Sequence, residues 1–197
     1  MQYWYLILIG YILGSIPWGL VIAKVFCNID PRLEGSKSIG ATNVSRLCGF
    51  GYGVLTLLCD LLKGVLPVFL AKYLDQDPLF ISLVAFSCVL GHVYSCFMHF
   101  KGGKAVATSI GVLIPIVFWQ LLISAILCIV VIWRFGYVSL GSLTLVTTLP
   151  IILAINGIWL YLPLSICLWA LVTYRHKENI IRLKNGEEKS FLKSRQK

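Results

Sequence analysis

Apolar residues in this chain run in blocks close to the length that crosses a bilayer, about 20 residues. Seven such blocks can be drawn, at about 3–26, 52–73, 79–98, 104–118, 120–134, 141–156 and 158–174. Inside hydrocarbon the backbone must satisfy its own hydrogen bonds, so each block is read as a helix. Several of the later blocks abut with no long polar loop between them. Their divisions near Pro115–Gln120 and Asn156–Gly157 are placed at turn-type residues in otherwise unbroken apolar sequence. The pattern predicts an all-α polytopic membrane protein of seven transmembrane helices.

Charge gives that array a direction. With seven spans, one set of connections comprises 28–51, 99–103, 135–140 and the tail. It holds Arg32, Lys37, Arg46, Lys101 and the tail cations, with Lys104 and Arg134 at its edges. The other set comprises the N-terminus, 74–78 and the turns near 119 and 157. It holds no Lys or Arg, although Lys72 lies at its edge with Asp75 and Asp77 nearby. Cytoplasmic loops carry the excess of Lys and Arg. The expected topology is therefore N-terminus outside and C-terminus cytoplasmic, and an odd number of spans keeps the two sets apart.

Composition agrees with one membrane domain over residues 1–197. The hydrophobic fraction is 58%, above the roughly 45–50% of soluble domains. The opening MQYWYLILIG has no basic n-region and no A-x-A site, so a cleaved signal peptide is not expected. A net charge of +9 is no sign of nucleic acid here, because eight of the 17 Lys and Arg fall in the short basic tail 175–197 against three acids. Such a tail faces lipid headgroups. The seven cysteines show no C-x-x-C and lie mostly in apolar blocks, where Cys behaves as a small hydrophobe. Neither disulfides nor a metal site is expected, and no cofactor is implied.

Two features lie inside the blocks. Asp60 and Lys63 share a helix face at i,i+3 and are read as an internal ion pair, with substrate binding as the alternative. Gly10 and Gly14 form G-x-x-x-G and are read as helix packing.

The remaining polar chemistry collects on the expected cytoplasmic side. EGSKSIGATNVSR, 34–46, holds Ser36, Lys37, Ser38, Thr42, Asn43, Ser45 and Arg46 among Gly35 and Gly40. Small residues leave backbone N–H groups open, and an arginine clamps an oxyanion bidentately. A solvated loop leading to a helix with a Thr or Asn N-cap is the plainer reading. HFKGGKAVATS, 99–109, puts Lys101, Gly102, Gly103 and Lys104 before a helix start, where an anion is favoured. Met98 and Ala105 exclude a nucleotide P-loop, and the two lysines also suit a simple membrane boundary. YRHKENIIRLKNGEE, 174–188, sets His176 and Asn179 three apart on one face, roughly with Arg175 or Arg182. YVSLGS, 137–142, adds Ser139 and Ser142. Many cations and hydroxyls with few carboxylates suit phosphate groups at a membrane surface, above apolar walls that hold an acyl chain. G-x-S-x-G is absent and no Ser–His–Asp or Cys–His set appears. Direct transfer between two bound substrates is the simpler expectation.

GSKSIGATNVSR, FKGGKAVAT and HKENIIRLKNGEE resemble the three cytoplasmic motifs of the bacterial acyl-phosphate:glycerol-3-phosphate acyltransferases. The likeness extends along the chain to GSIPWG at 14–19, DLLKG at 60–64 and GH at 91–92. It implies a seven-helix enzyme of the bacterial inner membrane with its active site at the cytoplasmic face. Such an enzyme moves a fatty acyl group from acyl phosphate to the 1-hydroxyl of sn-glycerol 3-phosphate, the first acylation of phospholipid synthesis. The products are lysophosphatidate and phosphate. A soluble acyl-phosphate-forming enzyme is the expected partner, beside membrane lipid.

By motif, the resemblance implies catalytic roles for Ser36, Arg46, Lys104, Ser142, His176 and Asn179. It implies substrate binding by Gly40, Thr42, Asn43, Lys101, Gly102 and Gly103, with Gly102–Lys104 as the glycerol 3-phosphate loop, and structural roles for Glu178 and Glu188. The chain departs from the family pattern where GSGN reads Gly35-Ser36-Lys37-Ser38, at Ala105 in place of a glycine, and at Ser95 in place of proline.

Three other readings are weighed. An anion transporter would spread polar residues across the midplane, whereas here only Asp60 and Lys63 lie deep. An acyl-CoA-dependent acyltransferase would show H-x-x-x-x-D, but Phe97, Lys104 and Ile181 stand at the acidic positions after His92, His99 and His176. A non-catalytic scaffold leaves the coincidence of three clusters unexplained.

Overall fold

The structure is a computed structural model that describes residues 3–74 and 77–191. Asp75 and the tail cations Lys193, Arg195 and Lys197 lie outside the described residues. Every regular element among the described residues is helical. In order these are α1 Tyr5–Ser15, α2 Trp18–Cys27, α3 Ala41–Cys48, α4 Phe50–Leu74, α5 Pro78–Val93, α6 Val106–Phe135, α7 Val138–Ile155, α8 Leu162–Arg175 and α9 Lys177–Lys184. Short 3-10 turns stand at Cys96–Met98 and Trp159–Tyr161. The chain divides into two compact units, Met1–Ile116 and Val117–Lys197.

In the first unit α1 lies against α5 at the glycines singled out in sequence. A Cβ on Gly14 would fall on the backbone of Cys88, and one on Gly10 would come 2.9 Å from Ser87 Oγ. The small-residue face therefore sets a close backbone approach. The block expected as one span, 3–26, is two helices. Pro17 has no N–H to give, and the residue before a proline is driven out of the helical region. Ile16 accordingly sits at φ −62°, ψ 118°.

The break exposes carbonyls inside the protein, and polar side chains meet them. Ser95 Oγ donates to Ser15 O, and Lys63 Nζ donates to Ile16 O at 2.9 Å. Lys63 is also 2.8 Å from Asp60 Oδ1, with both side chains under 5% exposed. The internal ion pair is thus present, and its ammonium repairs a broken helix. On the side of α2, Ile22, Ala23 and Val44 form a buried cluster that docks α3.

The expected division near Pro115–Gln120 holds as a kink: α6 is two helical stretches that join there, and it carries most of block 104–118 and all of block 120–134. Its interruption is at Val117, φ −135° and ψ 49°, two residues after Pro115. A proline inside a helix removes a bond to the preceding turn and strains its geometry. With the ladder opened at Val117, Pro115 O accepts from Lys72 Nζ at 2.7 Å. The other expected division holds: α7 ends at Ile155, and Gly157 follows with φ +68°.

In the second unit α7 runs beside α8. Gly141 of α7 meets α6, where an added Cβ would lie 2.9 Å from Cys128 O. After α9 the chain returns to the start of α7, and Phe191 N donates to Gly136 O at 2.8 Å.

By length and apolarity five helical segments are able to cross a membrane among the described residues: Tyr5–Cys27, which joins α1 and α2, Phe50–Leu74, Pro78–Met98, Val106–Phe135 and Val138–Ile155. At 14 residues, α8 is shorter than these.

Candidate active site

The first unit presents two loops with cations at helix ends. The loop before α3 is organised by one side chain. Asn43, 1% exposed, donates through Nδ2 to Pro31 O at 3.0 Å, Glu34 O at 3.2 Å and Ser38 O at 2.9 Å. Its Oδ1 accepts from Ser36 N at 2.8 Å. Both ends of the amide are therefore engaged by the loop backbone, and Asn43 fixes Ser36, whose side chain stays exposed. Gly40, not Thr or Asn, takes the N-cap of α3. Thr42 and Arg46 lie on α3, half-buried, with Arg46 in its last turn.

The second loop crosses the end of α5. Gly102 N donates to Val93 O at 2.9 Å and Gly103 N to His92 O at 3.1 Å. The glycine pair is thereby clamped to α5, and a Cβ on Gly103 would collide with the His92 ring. Lys101 is exposed and Lys104 half-buried, two residues before α6.

Two of the departures from the family pattern, Lys37 and Ala105, sit in left-handed backbone, whereas Ser95 is extended. Lys37 has φ +53° and Ala105 φ +62°, a region that costs a residue with a Cβ about 1–2 kcal/mol. His99 at φ +50° and Phe100 at φ +59° share it. The stretch 99–105 is thus strained at three positions and held by its contacts with α5.

The second unit gathers a polar cluster around one carboxylate. Glu188 Oε1 accepts from Ser139 Oγ and from Asn179 Nδ2, each at 2.7 Å. Its Oε2 accepts from Arg182 Nε at 2.7 Å. Burial pushes the Glu188 carboxyl up, but the hydrogen bonds from Arg182, Ser139 and Asn179 outweigh it and hold the group below its ordinary range. The helical spacing read for Asn179 and Arg182 is borne out, since both reach this group.

His176, 3% exposed, stands where α8 passes into α9. Its Nδ1 lies 2.8 Å from Val172 O. A carbonyl only accepts, so Nδ1 carries the proton, and in the neutral ring Nε2 is the basic nitrogen. Ser142, 5% exposed, donates to Val138 O at 2.9 Å.

Sequence reasoning assigned Glu188 a structural role without finding its partners, because the contact needs the tail to fold back. It named His92 in the family likeness but gave it no role, and missed Thr108, whose side chain meets it at 3.1 Å beside the glycine pair. A lone histidine within an apolar block was the available signal.

Apolar helices of membrane-spanning length define a multi-pass membrane protein. Comparison with known proteins makes this specific. Residues 4–186 match the family described as glycerol-3-phosphate acyltransferase. A relative of that name from Desulfovibrio desulfuricans is 64% identical over 97% of this chain and 86% of its own length. One from Lawsonia intracellularis is 57% identical over 95% of each. The crystal structure of PlsY (YgiH), an integral membrane glycerol 3-phosphate acyltransferase, in its glycerol 3-phosphate form, superposes with a TM-score of 0.91. It is 39% identical, with 94% of each chain covered. The lysophosphatidic acid form gives a TM-score of 0.87 at 36% identity over 98% of each chain. The chain belongs to the glycerol-3-phosphate acyltransferase family, membrane-embedded acyltransferases of phospholipid synthesis.

Proposed function

We propose that this protein transfers a fatty acyl group from acyl phosphate to the 1-hydroxyl of sn-glycerol 3-phosphate, releasing lysophosphatidate and inorganic phosphate. The observation that carries the reading is a cation in the last turn of α3, Arg46, and another, Lys104, in a loop tied to the end of α5, in a chain of this family. The relatives' names supply the acceptor, and the two PlsY crystal forms contain that acceptor and a lysophosphatidic acid. The acyl-phosphate donor rests on the motif resemblance.

Acyl phosphate is already activated, so the enzyme's task is alignment and charge stabilisation. The 1-hydroxyl oxygen attacks the carbonyl carbon, the bond from that carbon to the phosphate oxygen breaks, and phosphate leaves. Arg46 and Lys104 are assigned to phosphate groups. Because the amides of Gly102 and Gly103 are tied to α5, the loop's anion contact is assigned to Lys104 and the first turn of α6, with Lys101 adding charge nearby. Ser36, Ser142 and Asn179 orient the substrates. Gly40 and Thr42 shape the start of α3, and Asn43 acts through Ser36. His176 takes the hydroxyl proton at Nε2, which its contact with Val172 suits. A substrate phosphate oxygen is the alternative acceptor of that proton. His176→Gln separates the two: a fall in kcat of at least about a hundredfold fits a general base, and a near-normal kcat removes that role.

The finer topology belongs to the same proposal. Seven spans, with the N-terminus outside and the cation-rich loops in the cytoplasm of a bacterium with an inner membrane, put a water-soluble dianion and a membrane-borne acyl chain within reach of one enzyme. A soluble acyl-phosphate-forming enzyme then supplies the donor. The test offers purified protein either acyl phosphate or acyl-CoA with glycerol 3-phosphate and identifies the lipid product. Product from acyl phosphate alone is expected. Equal product from acyl-CoA would overturn the donor assignment.

A further inference from the structure

His92 is the penultimate residue of α5 and is 4% exposed. Its carbonyl accepts from Gly103 N at 3.1 Å, and the carbonyl of Val93 accepts from Gly102 N at 2.9 Å. Its ring lies so close beneath Gly103 that a Cβ there would strike Nε2. Its Nδ1 is 3.1 Å from Thr108 Oγ1, in the first turn of α6, and 3.8 Å from Asp60 Oδ1 on α4. That same oxygen meets Lys63 Nζ at 2.8 Å. Thr108, Asp60 and Lys63 are 0%, 3% and 4% exposed. One imidazole thus joins α4, α5, the start of α6 and the glycine loop. The loop it supports holds His99, Phe100 and Ala105 in left-handed backbone, so contacts of this kind must keep it in place.

We propose that His92, braced by Thr108 and the Asp60–Lys63 pair, is a positioning residue for glycerol 3-phosphate. It sets the height of Gly102–Gly103 and so delivers Lys104 to the acceptor's phosphate. The proposal rests on the assignment of this loop to glycerol 3-phosphate. The ring touches no reacting atom; it acts through the loop. Loss of the ring therefore weakens acceptor binding and leaves the acyl donor's binding alone.

The test is initial-rate kinetics of phosphate release by full-length protein in detergent, varying each substrate at saturating levels of the other. For His92→Ala the KM for glycerol 3-phosphate rises about tenfold, the scale of one net hydrogen bond, while the KM for acyl phosphate stays within about twofold. His92→Asn, whose amide reaches where Nδ1 stands, recovers most of the loss, but not when Thr108→Val is also present. Thr108→Val alone is near-isosteric, and it raises the same KM severalfold, so the test survives a His92→Ala protein that does not fold. An unchanged acceptor KM in Thr108→Val, equal movement of both KM values, or no recovery in His92→Asn would overturn the proposal. Wild-type protein that does not use glycerol 3-phosphate at all would instead overturn the reading beneath it, and this inference with it.

Discussion

Asn43 offers the sharpest contrast between two small substitutions. In Asn43→Ala the loop loses the two N–H donors of Nδ2, shared among three carbonyls, and one acceptance by Oδ1. At about 0.5–1.5 kcal/mol net per bond, with some carbonyls regaining water, the loss is about 2–3 kcal/mol. That corresponds to a Tm fall of roughly 5–10 °C for a chain of this size. Asn43→Asp keeps the acceptor facing Ser36 N but turns the donor into a carboxylate oxygen among three carbonyl oxygens at 2.9–3.2 Å. Repulsion and the burial of an unpaired charge then add at least about 2 kcal/mol beyond alanine. Such a carboxyl has its folded pKa raised, so its penalty grows as pH rises and shrinks as pH falls. The assay is thermal unfolding in detergent across pH, with turnover measured on the folded fraction. Aspartate is expected to be the worse substitution at neutral pH, and the gap to alanine closes in acid. An Asn43→Asp protein as stable as Asn43→Ala at neutral pH, with the same turnover, would refute the role of Nδ2 as the loop's donor.

Three further outcomes follow from the same geometry. Ala105→Gly removes a Cβ from a residue at φ +62° and stabilises by about 0.5–1 kcal/mol, read as a small rise in Tm; a fall would contradict the strain. Glu188 has its folded pKa below the ordinary 4.5, so its stabilisation is complete above that value and is lost as pH falls through the lower folded value. Glu188→Gln should flatten that acid limb of the unfolding profile, and an unchanged limb would count against the cluster. Lys63→Met strands Asp60 as a buried charge and costs about 3–5 kcal/mol, whereas the double change Asp60→Leu with Lys63→Met recovers part of the Tm; a double variant no better than the single would sink the pairing.

What the sequence made legible follows from how local each signal is. The helical, multi-pass class was readable because hydrocarbon demands long apolar runs, and Gly10 and Gly14 because packing spacing is local. The break at Ile16–Pro17 was not, since the apolar run resumes beyond the proline and only Ser15 interrupts it. The junction in α6 was legible, because Pro115 and Gln120 bracket the stretch in which the backbone departs from helix at Val117. At the candidate site, the motif resemblance pointed to Arg46, Lys104, His176 and Asn179, which residue type alone left open to plainer readings. The bracing contacts were hidden, because Asn43 reaches Ser36 through a chain reversal, Glu188 reaches Asn179 through a returning tail, and His92 joins the end of one helix to the start of another. The departures Lys37 and Ala105 were visible as letters, but only the backbone shows that each puts a side chain where φ is positive.

The central claim is that this chain couples acyl phosphate to glycerol 3-phosphate through loops built to hold phosphate. Phosphate release by the purified protein, with each substrate omitted in turn and with Arg46→Ala alongside, tests it most directly. The account predicts release only when both substrates are present, and its loss in Arg46→Ala at unchanged Tm. Release without glycerol 3-phosphate at the full rate, or full activity in the folded Arg46→Ala protein, would contradict it.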